Sequence, residues 1–312
     1  MALLGTLNLD LLLHGSMTDP RSTLATGGLC YSLAALARLR PRARLLPVAW
    51  LAAEDAPHFQ PVLERAGADR AGLAPCPGPG NRVTLDCRTP DKPERAELNL
   101  PPLGSAELEP ALDCPRLLLN CCSGRDVERG TWRAFRLHWR QRHPAGWLQL
   151  DWHSLSLDWE PGRARRLRRV PQAFTWLEDL DLLQLTLAET ASLSGKPPRR
   201  LEDAADLVLG LRRAGCRRVV VTDGARGCLF ADKQGVRRQA AWPIADVRDT
   251  TGCGDVLGAA LLATLSYGWP AERALALAAR AAGEVCGGVG LASLDVLGAV
   301  EDAPATQRER ES

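Results

Sequence analysis

The chain contains 312 residues, of which 46% are hydrophobic and 24% are charged, and its formal net charge is +2. This length supports one large α/β domain or two small ones with a sizeable core. The near-neutral charge argues against a general nucleic-acid binder. No apolar run reaches membrane-spanning length, and no basic region precedes the apolar start. We therefore expect a cytoplasmic protein that does not contact membranes or nucleic acid.

Cysteine usage agrees with a reducing compartment. Ten cysteines occur, and none forms a C-x-x-C pair, which argues against a zinc site. The vicinal pair Cys121-Cys122 is interpreted as two small buried hydrophobic residues. We expect the thiols to be reduced.

Short apolar runs alternate with segments of helical periodicity along the chain. Strands are predicted at residues 3–9, 45–50, 117–120, 147–151, 182–185 and 218–222. Helices are predicted at residues 28–39, 128–143, 201–214, 256–267 and 271–286. This alternation predicts a mostly parallel sheet with helices on both faces, and ligands bind such sheets beyond the carboxyl ends of the strands.

One region breaks the alternation. Residues 72–104 are rich in proline and glycine, yet residues 81–88 and 94–100 alternate like two short strands. We predict a small β lid formed by strands at about 10–25 and 78–103, inserted in a domain that spans residues 1–300. A lid strand exposed at an edge could also pair across a homodimer. Residues 301–312 are polar and lack periodicity, which predicts a flexible tail.

The N-terminal segments carry polar groups suited to a sugar. Asn8 and Asp10 lie two apart at the end of the first predicted strand, so they share a face. An acid and an amide together suit hydroxyls, although both residues are also ordinary at strand-end turns. Gly27 and Gly28 open a predicted helix, whose N-terminus is then accessible to a ligand.

Two later segments offer further polar groups. Thr186 and Glu189 have the spacing of a helix start, with Thr186 as N-cap and Glu189 as its capping-box partner. Thr222 ends a buried strand that runs into a turn at Gly224 and Gly227.

Residues 249–255 are the most informative stretch of the chain. Gly252 and Gly254 flank one small residue, Asp255 follows, and a long apolar segment begins at once. The unpaired N–H groups and the dipole of a helix N-terminus attract anions. A carboxylate beside such an anion cradle is a candidate base for phosphoryl transfer, because it can orient a hydroxyl while the cradle holds phosphate charge.

This stretch, D-T-T-G-C-G-D, resembles the D-T-x-G-A-G-D signature of the PfkB/ribokinase-type carbohydrate kinases, with Cys253 where alanine is usual. Three further family motifs have counterparts in the same order. They are G-G-x-x-x-N-x-A, with Ser32 at the Asn position; N-x-x-E, with Thr186 at the Asn position; and V-T-x-G-x-x-G around Thr222.

The resemblance implies a ribokinase-like three-layer αβα sandwich and an ATP-dependent kinase that phosphorylates a hydroxyl of a sugar or related polyol. It implies that Asp255 is the general base and that amides of Gly252, Cys253 and Gly254 hold the transferring phosphoryl group. The substrate residues it implies are Asn8, Asp10, Gly27, Gly28 and Ser32. The nucleotide residues are Thr186, Glu189, Thr222, Gly224 and Gly227. Glu189 would order water on Mg²⁺, and Asp249 with Thr251 would help form the monovalent-cation (K⁺) site common in the family.

Alternatives stay open at this stage. A nucleoside kinase has the same chemistry with another acceptor, and the departures at Ser32 and Thr186 favour a sugar- or nucleotide-binding sensor without catalysis. The arginines of residues 163–169 are interpreted as a solvated helix face, or else as a clamp for an anionic substrate. His153 is interpreted as structural.

Overall fold

The computed structural model describes residues 1–16, 18–89 and 93–301, and its described strands form two sheets. Nine of them make a central sheet in the order β13-β12-β11-β10-β9-β8-β1-β4-β5, and four make a second sheet in the order β3-β2-β6-β7. The strands are β1 Ala2–Leu4, β2 Leu7–Gly15, β3 Pro20–Gly28, β4 Leu46–Ala52, β5 Leu73–Cys76, β6 Asn81–Asp86, β7 Glu94–Glu97, β8 Arg116–Asn120, β9 Trp147–Asp151, β10 Leu182–Thr186, β11 Val219–Thr222, β12 Cys228–Asp232 and β13 Gly235–Gln239.

The central sheet is parallel from β5 to β11, and only β12 and β13 join it antiparallel. The predicted α/β class with a mostly parallel sheet is therefore confirmed. The strand prediction omitted β5, β12 and β13, where the apolar runs are short or broken by charged residues.

The predicted first strand, residues 3–9, is two strands. The chain leaves the central sheet at Gly5, whose φ is +156°, and a Cβ there would lie 2.4 Å from the carbonyl oxygen of Asn120. Apolar periodicity runs through this break, since Leu3, Leu7 and Leu9 are all buried. As a result β1 stays in the central sheet, while β2 carries Asn8 and Asp10 into the second sheet.

The second sheet is built around β2, which pairs antiparallel with β3 and parallel with β6. Strand β7 pairs antiparallel with β6 and completes the sheet. Its described strands fall at the positions predicted for the lid, apart from Met17 and residues 90–92, which lie outside the described residues. The predicted tail lies outside them too, except for Glu301.

Helices cover the central sheet on two faces, each with its own buried apolar cluster. The helices are α1 Leu29–Leu39, α2 Ala56–Arg65, α3 Ser105–Leu108, α4 Arg129–Arg142, α5 Phe174–Leu177, α6 Ala191–Ser194, α7 Ala205–Arg213, α8 Cys253–Leu265 and α9 Ala271–Val285. No described helix has the length and apolar character needed to span a bilayer.

Helix α8 positions the site. All its residues from Val256 to Leu265 are buried, and it packs against α1 and α9. Such all-round burial fixes the axis of the helix, so its first turn has a defined place beside the carboxyl ends of the parallel strands.

Candidate active site

A cavity of about 330 Å³ lies where the first turn of α8, the carboxyl ends of the central strands and the second sheet meet. Its lining is rich in carboxylates. The carboxylic acids and the histidine that line it are Asp10, Glu94, Asp151, His153, Glu189 and Asp255. The amide, hydroxyl and glycine residues that line it include Asn8, Gly28, Gln184, Thr186, Thr222, Thr250, Thr251, Gly252 and Gly254.

Asp255 lies in the first turn of α8 and is held by two side chains. Its Oδ1 accepts hydrogen bonds from Asn120 Nδ2 and, at 3.4 Å, from Ser32 Oγ. Burial raises the pKa of Asp255, while His153 and the two hydrogen bonds oppose the increase. The carboxyl group is thus fixed in orientation at the cavity wall, as a proton acceptor must be.

The turn before Asp255 depends on Gly252. This N-cap residue has φ +77°, and a Cβ there would lie 2.1 Å from the Tyr31 ring. A left-handed conformation against an aromatic ring requires glycine. The turn is closed by the Cys253 N–H, which donates to Thr250 O at 3.3 Å, and by the Thr251 N–H, which donates to Asp249 Oδ1 at 2.9 Å.

These contacts distinguish the three backbone amides that were predicted to hold the phosphoryl group. Gly252 and Gly254 line the cavity, whereas the Cys253 amide is already engaged within the turn. Gly254 also accepts a hydrogen bond at its carbonyl oxygen from Gln184 Nε2 at 2.8 Å, which ties the turn to β10. The N–H groups at the beginning of α8 lack intrahelical acceptors, so an anion in the cavity meets donors there.

Asn8 and Asp10 line the cavity from the second sheet. Asn8 is 3% exposed, and its Oδ1 has no hydrogen-bond partner among the described residues. A buried acceptor without a partner is costly, so a ligand donor in the cavity would be favoured here. Burial raises the pKa of Asp10 to about 8; the carboxylates of Glu94 and Asp255 add to the increase.

The other predicted substrate residues support these groups. A Cβ at Gly27 would lie 1.9 Å from Asp10 Oδ2, so this glycine makes room for the carboxylate. Gly28 lines the cavity and has φ +60°. Ser32 does not line the cavity; it is buried and donates to Asp255 instead.

Thr186 and Glu189 bond reciprocally, as a capping box does. The Thr186 N–H donates to Glu189 Oε2 at 2.8 Å, and the Glu189 N–H donates to Thr186 Oγ1 at 3.2 Å. The bonds close a turn that precedes the short helix α6, so no regular helix begins at Thr186. Both side chains line the cavity.

His153, which the sequence analysis interprets as structural, also lines the cavity. It follows β9 with φ +21°, and its Nδ1 lies 3.5 Å from Glu189 Oε1. Desolvation within the cavity lowers the pKa of His153, but Glu189, Asp151 and Glu94 outweigh it and raise the pKa to about 10. The ring therefore brings a positive charge into a wall of carboxylates.

The predicted turn after β11 lies partly outside the cavity. Thr222 lines the cavity, whereas Gly224 and Gly227 do not. Gly227 has φ +89°, and a Cβ there would lie 2.1 Å from Gln239 O, so it permits the close approach of β13. Both glycines shape the β11–β12 connection beside Thr222.

Oxygen atoms are available at the places where the two predicted cations, Mg²⁺ and K⁺, would bind. Glu189 Oε1 and the neighbouring carboxylates are hard oxygen donors of the kind that Mg²⁺ prefers. No group of three or more His, Cys, Asp or Glu in the described ranges is arranged to hold a metal. At the predicted K⁺ site, Asp249 accepts the Thr251 N–H, and Cys286 O accepts the Arg248 and Asp249 N–H groups.

Several site residues were missed because their partners are remote in sequence. Asn120 ends β8 and holds Asp255 from 135 positions away, and Glu94 reaches the cavity from β7. Asp151 ends β9, and its position at a predicted strand end could have identified it from the sequence. It accepts a hydrogen bond from Gln184 Nε2 at 3.1 Å.

The interpretation of residues 163–169 as a solvated helix face is wrong. The segment is not helical, and the side chain of Arg165 is 1% exposed. Arg165 Nη1 donates to Glu94 Oε1 at 2.7 Å, and its Nη2 donates to Ser123 O at 2.9 Å. Because a buried guanidinium needs such partners, Arg165 fastens the second sheet to the central one rather than clamping a substrate.

Comparison with known proteins agrees with this geometry. Residues 167–296 match the model of the pfkB family carbohydrate kinases. A ribokinase of Arabidopsis thaliana is 33% identical over 107 residues, which are 34% of this chain and 28% of the ribokinase. The matched part spans less than a third of that ribokinase. The predicted resemblance to PfkB carbohydrate kinases is confirmed.

Solved structures extend the likeness to nearly the whole chain. Arabidopsis thaliana ribokinase complexed with ribose and ATP has a TM-score of 0.73 at 19% identity, covering 94% of both chains. A pyrophosphate-dependent kinase in the ribokinase family, complexed with a pyrophosphate analog and myo-inositol, has a TM-score of 0.74 at 15% identity, covering 94% of this chain and 98% of that one. The predicted ribokinase-like fold is confirmed.

Proposed function

We propose that this protein is an ATP-dependent kinase that transfers the γ-phosphoryl group to a hydroxyl of a sugar or related polyol. The observation that carries the proposal is Asp255, held by Asn120 and Ser32 at the cavity wall beside the N-terminus of α8. A fixed base next to unpaired backbone donors is the arrangement that phosphoryl transfer needs.

Asp255 takes the proton of the acceptor hydroxyl as the oxygen attacks. Its raised pKa makes the carboxylate a stronger base than an exposed aspartate. The backbone N–H groups at Gly252 and Gly254 face the phosphoryl group and hold its charge during transfer. Mg²⁺, when bound with the nucleotide, would supply charge neutralisation, and Glu189 is the residue that would order its water.

The acceptor end of the cavity comprises Asn8, Asp10, Glu94 and Asp255. Asn8 Oδ1 and the side chains of Glu94 and Asp255 offer hydrogen-bond acceptors, which match the hydroxyl donors of a sugar or polyol. Asp10, whose pKa is raised to about 8, is protonated at neutral pH and donates a hydrogen bond as well. The donor end comprises Thr186, Glu189 and Thr222, together with the first turn of α8. His153 lies between the two ends, where its charge attracts phosphate oxygens.

The donor is best tested with two compounds. The solved relatives include one bound to ATP and one that is pyrophosphate-dependent. Glu189 Oε2 accepts the Thr186 N–H, which leaves Glu189 Oε1 directed to His153. ATP and pyrophosphate both carry phosphate oxygens that could bind beside these two residues. ATP is the donor that the family motifs favour.

The test is a panel of sugars, polyols and nucleosides with ATP or pyrophosphate and Mg²⁺, read as product formed per enzyme. We expect ADP that depends strictly on an added sugar or polyol. The variant Asp255→Asn keeps the size of the side chain and is expected to lower kcat by about 10²–10⁴-fold with little change in nucleotide affinity. Near-wild-type turnover of this variant would exclude Asp255 as the base.

Other outcomes of the panel identify the alternatives. Phosphorylation of nucleosides alone indicates a nucleoside kinase. Binding of sugar and nucleotide without turnover indicates a sensor. Adding K⁺ to the reaction tests the predicted site at Asp249 and Thr251. The cytoplasmic location, the absence of nucleic-acid binding and the homodimer through the lid stay predictions.

A further inference from the structure

Two thiols from separate elements meet at the start of α8. Cys253 is the first residue of α8, and Cys286 is the C-cap of α9. Their Sγ atoms are 2.6 Å apart, and both residues are partly buried. Unbonded heavy atoms pack at about 3.5–4.0 Å, whereas a disulfide bond measures about 2.05 Å. The pair therefore lies closer to a bonded than to a non-bonded separation.

A shared metal ion does not account for the pair. Two thiolates bound to one tetrahedral zinc at about 2.3 Å would lie roughly 3.7 Å apart. Nor does any cluster of three or more His, Cys, Asp or Glu suited to a metal occur in residues 1–16, 18–89 and 93–301. The phosphoryl transfer proposed above makes no use of either thiol, so the pair needs another explanation.

We propose that Cys253 and Cys286 are a modification site, where a reversible disulfide forms and restrains the catalytic turn. The oxidant we name is a small-molecule disulfide, represented by oxidised glutathione. One protein thiol attacks it, forming a mixed disulfide and releasing one glutathione. The second protein thiol then attacks the protein sulfur and releases the other glutathione. The two thiol protons end on the two glutathione molecules.

The surroundings show what the bond would restrain. The carbonyl oxygen of Cys286 accepts the N–H groups of Arg248 and Asp249 at 2.9 and 3.3 Å, so Cys286 already holds the segment that enters the turn. A covalent link to Cys253 would fix both ends of this turn, from Asp249 to α8. Forming the bond would pull the first residue of α8, which lies two positions before Asp255, toward the C-cap of α9.

The rate of the reaction has a predictable pH dependence. The contact with Cys286, together with burial, raises the pKa of Cys253. Because the thiolate is the attacking species, crosslinking is expected to be slow at neutral pH and faster near pH 9.

The experiment uses the whole protein, reduced and then exposed to oxidised glutathione at pH 7 and pH 9. Peptide mapping without reduction should find Cys253 joined to Cys286, and dithiothreitol should reverse it. The Tm should rise by about 5–10 °C, since the link closes a long loop. Both effects should vanish in Cys253→Ala and in Cys286→Ser. They should persist in Cys76→Ser, which removes another partly buried thiol, on β5.

The effect on turnover rests on the proposed function. Displacing a reacting group by a fraction of an ångström is expected to lower kcat of the oxidised protein about tenfold, reversibly. Failure to crosslink, or a stable mixed disulfide with glutathione, overturns the modification site. A crosslinked protein with unchanged kcat overturns the restraint on the turn. Inactivity of the reduced protein as well would count against the kinase, while mapping and Tm would still decide the disulfide.

Discussion

At the acceptor end of the cavity the polar side chains are held by partners far away in the sequence, whereas at the donor end they are held by near neighbours. Asp255 is bound by Asn120, 135 positions away, and Arg165 binds Glu94 from 71 positions away. By contrast, Thr186 and Glu189 bind each other across three positions.

This difference separates two ways of building a site. Partners brought together by tertiary packing fix a carboxylate in a buried and costly position, which only the folded core can maintain. Local turns form from short segments, as the reciprocal bonds of Thr186 and Glu189 show, and need no distant partner. We therefore expect changes at the acceptor end to alter stability and catalysis together, and changes at the donor end to alter mainly affinity.

The largest effect on stability is expected from Arg165→Met. The change removes a buried guanidinium and leaves Glu94 without its ion-pair partner. We expect a loss of about 3 kcal/mol in the free energy of unfolding and a rise of about tenfold in KM for the acceptor, because Glu94 loses its fixed position. Denaturant unfolding and steady-state kinetics measure these quantities.

The matched control for this variant is Arg163→Met. Arg163 is 76% exposed and pairs with Glu160 three residues away. An exposed pair of this kind contributes less than about 1 kcal/mol. Equal losses in the two variants would show that Arg165 has no special place between the sheets.

A second prediction concerns Asp10 and pH. Its pKa of about 8 lies above the value of about 3.9 expected in the unfolded chain, so the folded protein binds the extra proton. The stability of the protein should therefore fall as pH rises from about 4 to about 8. Asp10→Asn should remove this part of the loss and raise the Tm at pH 8, while lowering kcat/KM for the acceptor about tenfold.

Thermal unfolding between pH 5 and pH 9 checks the sign. A variant less stable than the wild type at pH 8 would contradict the proposed burial cost. The same comparison at pH 5, where the wild-type group is protonated, should show a smaller difference.

The smallest effect is expected from Thr186→Asn, which restores the residue usual in the family motif. Asparagine also caps turns, so the free energy of unfolding should change by less than about 0.5 kcal/mol. We expect a fall of a few-fold in KM for the nucleotide, because the longer amide reaches further into the cavity. An unchanged KM would indicate that the donor does not contact this position.

The sequence predicted the features that depend on adjacent residues. The turn from Asp249 to Asp255, the reciprocal bonds of Thr186 with Glu189, and the buried parallel strands all have local signals. Their order along the chain was enough to predict the fold and the position of the candidate base.

Other features depend on contacts that no local pattern records. The break at Gly5 interrupts a run of leucines whose periodicity does not change. Asn120 looks like an ordinary strand end, and Arg165 looks like one member of an exposed basic run. Their roles follow from where the sheets meet, and the apolar pattern of each segment contains no information about this.

The chain leaves the central sheet at Gly5, and this divides the candidate site between two layers. Asn8 and Asp10 belong to one layer of the molecule and Asp255 to another, so an acceptor that touched all three would bridge the two layers. Binding of the acceptor and closure of the second sheet over it would then be a single event. Any displacement of the second sheet would also move Asn8 and Asp10 away from the acceptor. Selectivity in such a protein would depend on how the chain crosses between the two layers, as it does at Gly5-Thr6 and from Gly28 into α1, as much as on the shape of the cavity.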